Sequence, residues 1–449
     1  MVRRNDELIV TGKPDAWERV LNRAGHEVPG LNRKRTVDLT NGARTLKVGL
    51  IGSGKEARQL QEQLATWSKA EHAAVAAELN GPVLLPAAKV KQSRGWSVNP
   101  WEWGDDPWEW GDDPWEWGDD PWEWGDDPAL PMVVPAGATQ AEGEALFWQQ
   151  GAFRKIGLTD ANGQRVAALA DRQGEGVLAA VFDALPARPV NFSWLTLHPS
   201  RVAGEQPRAG VDLSDHGLMC ASLIHAVAPK AQVHLYEACG KDGEGRLFPL
   251  VEAISDFITL AQGRPAVISL SLGSQYSRGS AALRAVLQKA TDAGMVVCAA
   301  AGNGAYGTPK VSALLQAQVP ATFPNVVAIS ASNQADQRAL YSQRGDLAAP
   351  GGEALGQPGP DDAEDMIGMG VSVGTSGYVR MDAGTSFATP LVAGAAALLL
   401  ETQSNRDAQT YARVLEAMKA GAAQAAPTTG ECLTSSGLGA GILNLPALF

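Results

Sequence analysis

The sequence predicts an α/β protein: a doubly wound, mostly parallel sheet with helices on both faces, preceded by a small N-terminal α/β domain. From residue 177 onward, short apolar runs alternate with helical stretches, as parallel strands buried on both faces require. With 449 residues, 45% of them hydrophobic, the chain can bury a large core. An acidic repeat at residues 101–128 indicates a linker between two folded parts.

The first part, residues 1–88, has the pattern of a small α/β domain. Apolar runs at residues 8–10, 46–51 and 83–85 indicate strands, and residues 17–21 and 56–79 have helical patterns. Residues 52–57 read Gly-Ser-Gly-Lys-Glu-Ala and superficially match a nucleotide-binding turn. A domain this short lacks room for a complete nucleotide fold. We therefore expect a strand-to-helix turn without a ligand.

The linker, residues 89–144, contains the unit Trp-Glu-Trp-Gly-Asp-Asp-Pro four times without change. Each copy carries three acids, and outside the copies the acids balance the 37 Lys and Arg, so the net charge of −12 comes from the repeats. Pro and Gly in every unit exclude a heptad coiled coil. The repeats are typical of an extended spacer, although their eight Trp could instead bind a partner or the protein's own cleft.

Several classes of protein are excluded by composition. The longest apolar stretch, residues 391–400, is half as long as a membrane-spanning helix, and the N-terminus has no secretory hydrophobic region. We expect a cytoplasmic protein with no membrane partner and, since the chain outside the repeats is charge-balanced, no nucleic-acid partner. Neither a zinc site nor a disulfide framework is indicated by the widely spaced cysteines, which are Cys220, Cys239, Cys298 and Cys432.

Four polar residues stand where strands end or helices begin. Asp183 follows the predicted strand 177–182, and Asn303 follows the predicted strand 295–301. His216 and Ser386 each open a helical segment. Because functional groups of open α/β sheets gather at the carboxyl ends of strands and at the helix N-termini that follow, we expect these four side chains to meet. They supply a nucleophile, a base, a group that orients the base, and an oxyanion donor.

Residues 384–390, Gly-Thr-Ser-Phe-Ala-Thr-Pro, resemble the nucleophile signature of the subtilases, in which Met stands at the position of Phe387. The blocks at residues 226–231, 269–273, 300–303 and 348–351 are similar to further subtilase blocks, and the chain order Asp, His, Ser is that of subtilisin. The resemblance implies a subtilisin-like peptidase domain at residues 145–449. It implies a serine endopeptidase that works through an acyl-enzyme.

Site residues follow from the same resemblance. Asp183, His216 and Ser386 would form the catalytic triad, and Asn303 would donate to the oxyanion. A protein or peptide substrate would pair as an added strand with Ser269, Leu270, Ser271, Leu272 and Gly273.

Other expectations concern regulation and ligands. Residues 1–88 weakly resemble the pro-domains that precede many subtilases, which implies an intramolecular inhibitory domain, although a substrate-recruiting domain fits nearly as well. We expect no cofactor and predict no metal ligands. Calcium often stabilises subtilases, but the sequence has no DxDxDG-type loop.

Three alternatives remain open at the sequence level. The residues that follow Asp183 and His216 depart from the family motif, which favours a second hypothesis, a catalytically weak or inactive subtilase-fold protein that binds peptides. Asp212 or Asp215, close to His216 in the chain, could replace Asp183 as its partner. Cys220 lies four residues after His216 and could act with it as a thiol nucleophile.

Overall fold

The structure, a computed structural model, describes most of the chain but leaves out several segments. The linker repeats at residues 101–128 and Asp212 lie outside the described residues. Those described are 7–27, 31–41, 44–52, 57–70, 75–79, 82–84, 132–133, 139–199, 214–241, 243–273, 280–304, 317–352, 366–370, 377–381, 383–423 and 437–449.

The N-terminal unit is an antiparallel sheet in the order β2-β3-β1-β4, covered by two helices. Its elements are β1 (Glu7–Gly12), α1 (Pro14–Glu27), β2 (Asn32–Asn41), β3 (Arg44–Gly52), α2 (Ala57–Ala70) and β4 (Val75–Leu79). The predicted helix over residues 56–79 is too long, because its last residues form β4 and pair with β1. Strand alternation divides the sheet into two faces. Leu8 and Val10 pack with Trp17 on the helical side, while Ile9 joins the core of the large domain.

The large domain is built on a parallel sheet whose described strands have the order β14-β13-β12-β11-β7-β9-β8. From β5 onward, the described part of the chain contains the main-sheet strands, the α-helices, three further short strands and a hairpin. These elements are β5 (Pro82–Leu84), β6 (Met132–Val133), α3 (Gln140–Gln149), α4 (Gly151–Lys155), β7 (Leu178–Asp183), β8 (Leu195–His198), α5 (His216–Val227), β9 (Gln232–Glu237), β10 (Glu244–Arg246), α6 (Leu247–Ala261), β11 (Ala266–Leu270), α7 (Ala281–Asp292), β12 (Val296–Ala300), β13 (Val327–Ser332), β14 (Leu347–Pro350), β15 (Met366–Met369), β16 (Tyr378–Met381), α8 (Thr385–Leu400) and α9 (Thr410–Gly421).

Helices cover both faces of this sheet. α5 and α8 pack together against its centre, and α6 and α7 pack together on the sheet as a second pair. The central strands β7, β11 and β12 are buried at every position, as expected for strands covered on both sides. The predicted doubly wound α/β class is confirmed.

The N-terminal unit lies against α6 and α7. Ile9, Leu39 and Leu50 project from its sheet into the hydrophobic core of the large domain. Beyond the unit, β5 pairs antiparallel with β10, and β6 pairs antiparallel with β16. The chain is therefore held on the large domain both before and after the repeats.

None of the helices in the described part of the chain is long and apolar enough to span a membrane.

Candidate active site

Asp183 and His216 meet at the carboxyl end of the main sheet. Asp183 is the last residue of the central strand β7, and His216 is the first residue of α5. The imidazole Nδ1 lies 2.9 Å from each carboxylate oxygen of Asp183. Both side chains are buried, and the Ala184 backbone N–H donates to Asp183 Oδ1 over 2.7 Å. The carboxylate thus binds the imidazole through Nδ1, and Nε2 stays available to accept a proton.

Gly217 lets α5 approach the end of β7 this closely. A Cβ at this position would lie 2.3 Å from the Ala184 carbonyl oxygen and 2.9 Å from Asp183 Cβ. The backbone of the helix therefore contacts the strand end directly. A side chain there would push His216 away from its carboxylate partner.

The electrostatics of the pair favour the charged imidazole. Burial by itself lowers the pKa of His216, but the charge of the Asp183 carboxylate, together with Cys220, outweighs this effect. The pKa of His216 consequently lies well above its ordinary value of 6.5. An imidazolium formed by proton transfer is stabilised at this position.

Ser386 is the second residue of α8 and is fully buried. Its hydroxyl lies 3.5 Å from the Ser271 carbonyl oxygen, and the Ser271 hydroxyl donates to the Ser386 carbonyl oxygen over 2.7 Å. Cys220 links this helix start to the imidazole, since its Sγ lies 3.5 Å from the Ser386 carbonyl oxygen and 4.0 Å from His216 Nδ1. The Phe387 and His216 rings are 5.4 Å apart. The start of α8 and the start of α5 therefore lie side by side.

Asn303 follows the end of β12 and is oriented by Thr385. Its Oδ1 accepts from the Thr385 backbone N–H over 3.0 Å and from the Thr385 hydroxyl over 2.8 Å. Its Nδ2 lies 3.5 Å from the position of a Cβ on Gly384, two residues before Ser386. Gly302, with φ +114°, adopts a backbone conformation that favours glycine. The Asn303 amide group therefore lies against the start of α8.

The predicted substrate segment divides into two parts. Ser269 and Leu270 belong to β11, where they are paired with β12. Ser271, Leu272 and Gly273 continue past the end of the strand. Ser271 contacts Ser386, since its carbonyl oxygen lies 3.5 Å from Ser386 Oγ. Sequence reasoning missed the supporting roles of Ser271 and Thr385, although Thr385 stands within the nucleophile signature.

Of the alternative residues that the sequence left open near His216, the structure describes Asp215 and Cys220. The carboxylate at His216 Nδ1 is that of Asp183, while Asp215 is a buried residue at the N-cap of α5. Burial raises the pKa of the Cys220 thiol, which disfavours the thiolate that a cysteine nucleophile needs. Donor atoms of Asp183, His216 and Cys220 lie within 4.8 Å of one another, close enough to share a metal ion. Such an ion would have to displace the bond between the carboxylate and Nδ1.

Comparison with known proteins agrees with this geometry. The model of the subtilase family matches residues 198–441, more than half of the chain. Subtilisin E of Bacillus subtilis (strain 168) is 35% identical over 202 residues, which cover 42% of this chain and 46% of that protein. This chain thus matches about half the length of that relative.

Subtilisin BL of Lederbergia lenta is 30% identical over 246 residues, which cover 50% of this chain and 77% of that protein. Among solved structures, a mutant of the protease domain of PatA superposes with a TM-score of 0.47 at 23% identity, covering 62% of this chain and 96% of that chain. The match to the family model, together with subtilisin BL, shows that the chain belongs to the subtilase family of serine peptidases.

Proposed function

We propose that this protein is a serine endopeptidase in which Ser386 attacks the peptide carbonyl, His216 is the general base, and Asp183 holds the base. The observation that carries the proposal is the buried bond between His216 Nδ1 and the Asp183 carboxylate, formed beside the start of α8. A buried carboxylate at Nδ1 fixes the tautomer whose Nε2 can accept a proton.

The chemistry proceeds through an acyl-enzyme. Ser386 Oγ bonds to the carbonyl carbon as its proton passes to His216 Nε2, and the negative charge moves to the carbonyl oxygen, where Asn303 Nδ2 donates. The C–N bond then breaks, and the imidazolium gives its proton to the leaving amine. Water attacks the ester in the same way, which releases the acid and restores Ser386.

Residues 271–273 are proposed to bind the substrate backbone. They continue beyond the last paired residue of β11, so their backbone groups can pair with an extended peptide as an added strand. The Ser271 carbonyl oxygen lies 3.5 Å from Ser386 Oγ, which brings a peptide paired with this segment to the nucleophile.

Serine labelling tests the peptidase proposal. A fluorophosphonate probe should label the wild-type protein on Ser386, and Ser386→Ala should abolish both labelling and peptide hydrolysis without unfolding the protein. The matched control is Ser255→Ala, on α6, which removes a hydroxyl outside the proposed triad. A folded wild-type protein that binds peptides but is not labelled would instead support the inactive peptide-binding alternative.

We further propose that the N-terminal unit inhibits the site in cis. β5, the short strand that follows the unit in the chain, pairs with β10, with Val83 opposite Gly245. Gly245 bridges to Cys239, whose backbone N–H lies 3.4 Å from the Asp183 carbonyl oxygen. β5 is thereby linked, through β10 and Cys239, to the strand end that carries Asp183. The charged contact between Arg35 and Glu252 supports docking of the unit.

A further inference from the structure

The chain that follows the repeats contacts a hairpin that leads to Ser386, the proposed nucleophile. β15 and β16 form this hairpin, with Ile367 opposite Arg380. β16 ends at Met381, five residues before Ser386. Any displacement of the hairpin is therefore transmitted to the start of α8 over a short stretch of chain. Three sets of contacts hold the hairpin in place.

One contact is made by a side chain that takes the place of a strand. The Gln150 carboxamide donates from Nε2 to the Ile367 carbonyl oxygen over 3.1 Å and accepts at Oε1 from the Ile367 backbone N–H over 3.4 Å. Nε2 also donates to the Phe147 carbonyl oxygen over 2.9 Å. Gln150 is only 7% exposed. A carboxamide that donates and accepts at one residue reproduces the pairing that a neighbouring strand would provide.

The second contact lies at the opposite edge of the hairpin, and the third lies beneath the hairpin. β6 pairs with β16 through Met132 and Val133. Beneath the hairpin, the Met369 backbone N–H donates over 3.0 Å to Ser222 Oγ on α5. The helix that begins with His216 is thus tied to the hairpin that leads to Ser386. Gln150 makes its edge contact across 217 residues of sequence.

We propose that Gln150 is a positioning residue for the hydrolytic reaction. The inference rests on the proposed peptidase function. Gln150 acts through the hairpin: its carboxamide pairs with the outer edge of β15, and β6 pairs with the outer edge of β16. Together they fix the direction from which the chain enters α8, and so the place of Ser386 Oγ relative to the His216 ring.

The test variant is Gln150→Met in the full chain, because methionine preserves length and bulk but has neither amide donor nor acceptor. Loss of alignment at the nucleophile lowers kcat more than it weakens substrate binding, and a misplacement of about 1 Å costs up to ~100-fold. We expect kcat and the rate of fluorophosphonate labelling to fall about tenfold or more, with KM within about twofold. Hydrogen exchange at Ile367 should become faster.

Two control variants separate positioning from general destabilisation. Gln149→Met makes the same change at the neighbouring exposed position. Tyr411→Phe removes a side-chain hydrogen bond of 3.3 Å to the Val326 carbonyl oxygen, on α9 and away from the hairpin. Both should keep the wild-type kcat and the wild-type exchange at Ile367.

The outcomes are distinct. A folded Gln150→Met protein with wild-type kcat, or with wild-type exchange at Ile367, overturns the inference. If Gln150→Met does not fold, Gln150→Asn replaces it, because asparagine keeps a carboxamide but is one methylene shorter and loses its reach to β15. If the wild-type protein hydrolyses no peptide, the proposed function fails, and exchange at Ile367 still decides whether Gln150 holds the hairpin.

Discussion

The Thr385 hydroxyl connects Asn303, the proposed oxyanion donor, to the start of α8. It donates to Asn303 Oδ1 and accepts from the Gly302 backbone N–H over 3.3 Å. Because the carboxamide oxygen is engaged by Thr385, its amino group faces the opposite side. One side chain adjacent to Ser386 therefore decides which way Asn303 points. Preorganised donors of this kind stabilise charge that develops in the transition state.

Replacing Asn303 should affect catalysis more than binding. For Asn303→Ala we expect kcat to fall about 100- to 1,000-fold, the loss found when one oxyanion donor is removed from subtilisin, with KM little changed. Thr385→Val keeps the shape of the side chain but not its hydroxyl, and should give a smaller fall. Steady-state kinetics on a peptide substrate measure both effects. Turnover of Asn303→Ala at the wild-type rate would exclude the oxyanion role.

The titration of His216 should govern the pH dependence of hydrolysis. The reaction needs the neutral imidazole, and the pKa of His216 is raised well above 6.5. Activity should therefore increase with pH, with the acid limb of kcat/KM centred above pH 6.5. The contribution of His216 to folding stability changes with pH in the opposite direction. The raised pKa stabilises the folded state below the unfolded value, and this contribution disappears as pH rises through the folded pKa.

Asp183→Asn provides the matched variant for this pH profile. Removing the carboxylate charge should move the acid limb to lower pH and reduce kcat by about 10⁴-fold. His225 is half-buried, and this burial lowers its pKa to about 4, so it titrates outside this window. An acid limb that stays in place in Asp183→Asn would mean that another group controls the titration.

At the scale of elements, the site depends on how closely α5 approaches β7. The two elements touch through backbone at Gly217, where a Cβ would lie 2.3 Å from the Ala184 carbonyl oxygen. α8 is completely buried and packs against both α5 and the sheet. Both helices begin at the carboxyl end of the sheet, which is where the strand ends carry Asp183 and Asn303.

Gly217→Ala should destabilise the protein even though alanine favours helices. Helix propensity alone would stabilise the variant by about 1 kcal/mol, whereas overpacking against the strand end costs about 1–3 kcal/mol. We expect a lower Tm together with lower activity. Gly304→Ala is the control, because the nearest atom to its Cβ position is 3.7 Å away. An unchanged Tm for Gly217→Ala would show that the helix can shift without penalty.

At the scale of the whole molecule, one face of the N-terminal sheet joins the hydrophobic core of the large domain. The face that carries Ile9 and Leu39 packs into the large domain. At the rim of this contact, Arg35 lies 2.6 Å from the Glu252 carboxylate and 5.3 Å from the Phe248 ring. Both α6 residues lie next to β10, the strand that pairs with β5. The contact of Arg35 with α6 and the pairing of β5 with β10 are thus neighbouring contacts.

Charge reversal at this rim tests the inhibitory proposal. Arg35→Glu should weaken docking and raise the rate of peptide hydrolysis, and Glu252→Arg should do the same. The double variant restores an ion pair and should return toward the wild-type rate. Because such partly exposed pairs contribute about 0.2–1 kcal/mol, we expect changes of a few-fold. Arg19→Glu, at an exposed position of α1, is the control, and equal rates in all variants would contradict inhibition by the unit.

The sequence by itself determined the parallel sheet and the residues at its carboxyl edge. Strands covered on both faces are apolar without interruption, so the runs that became β7, β9, β11, β12 and β13 were visible without any partner. Polar residues that directly follow such runs stand out for the same reason. The nucleophile signature around Ser386 is contiguous, and a contiguous pattern needs no folding to be recognised.

Tertiary structure alone decided contacts between distant parts of the chain. β2 is exposed along most of its described length, and its only apolar residues are Val37 and Leu39, so its pairing with β3 could not be recognised from an apolar pattern. Asp183 and Asp215 were both candidates as the partner of His216, and the 2.9 Å contact distinguishes them. Gln150 and Ile367 meet across 217 residues. Propensity and periodicity report on neighbours in sequence, whereas each of these contacts depends on how separate elements pack in space.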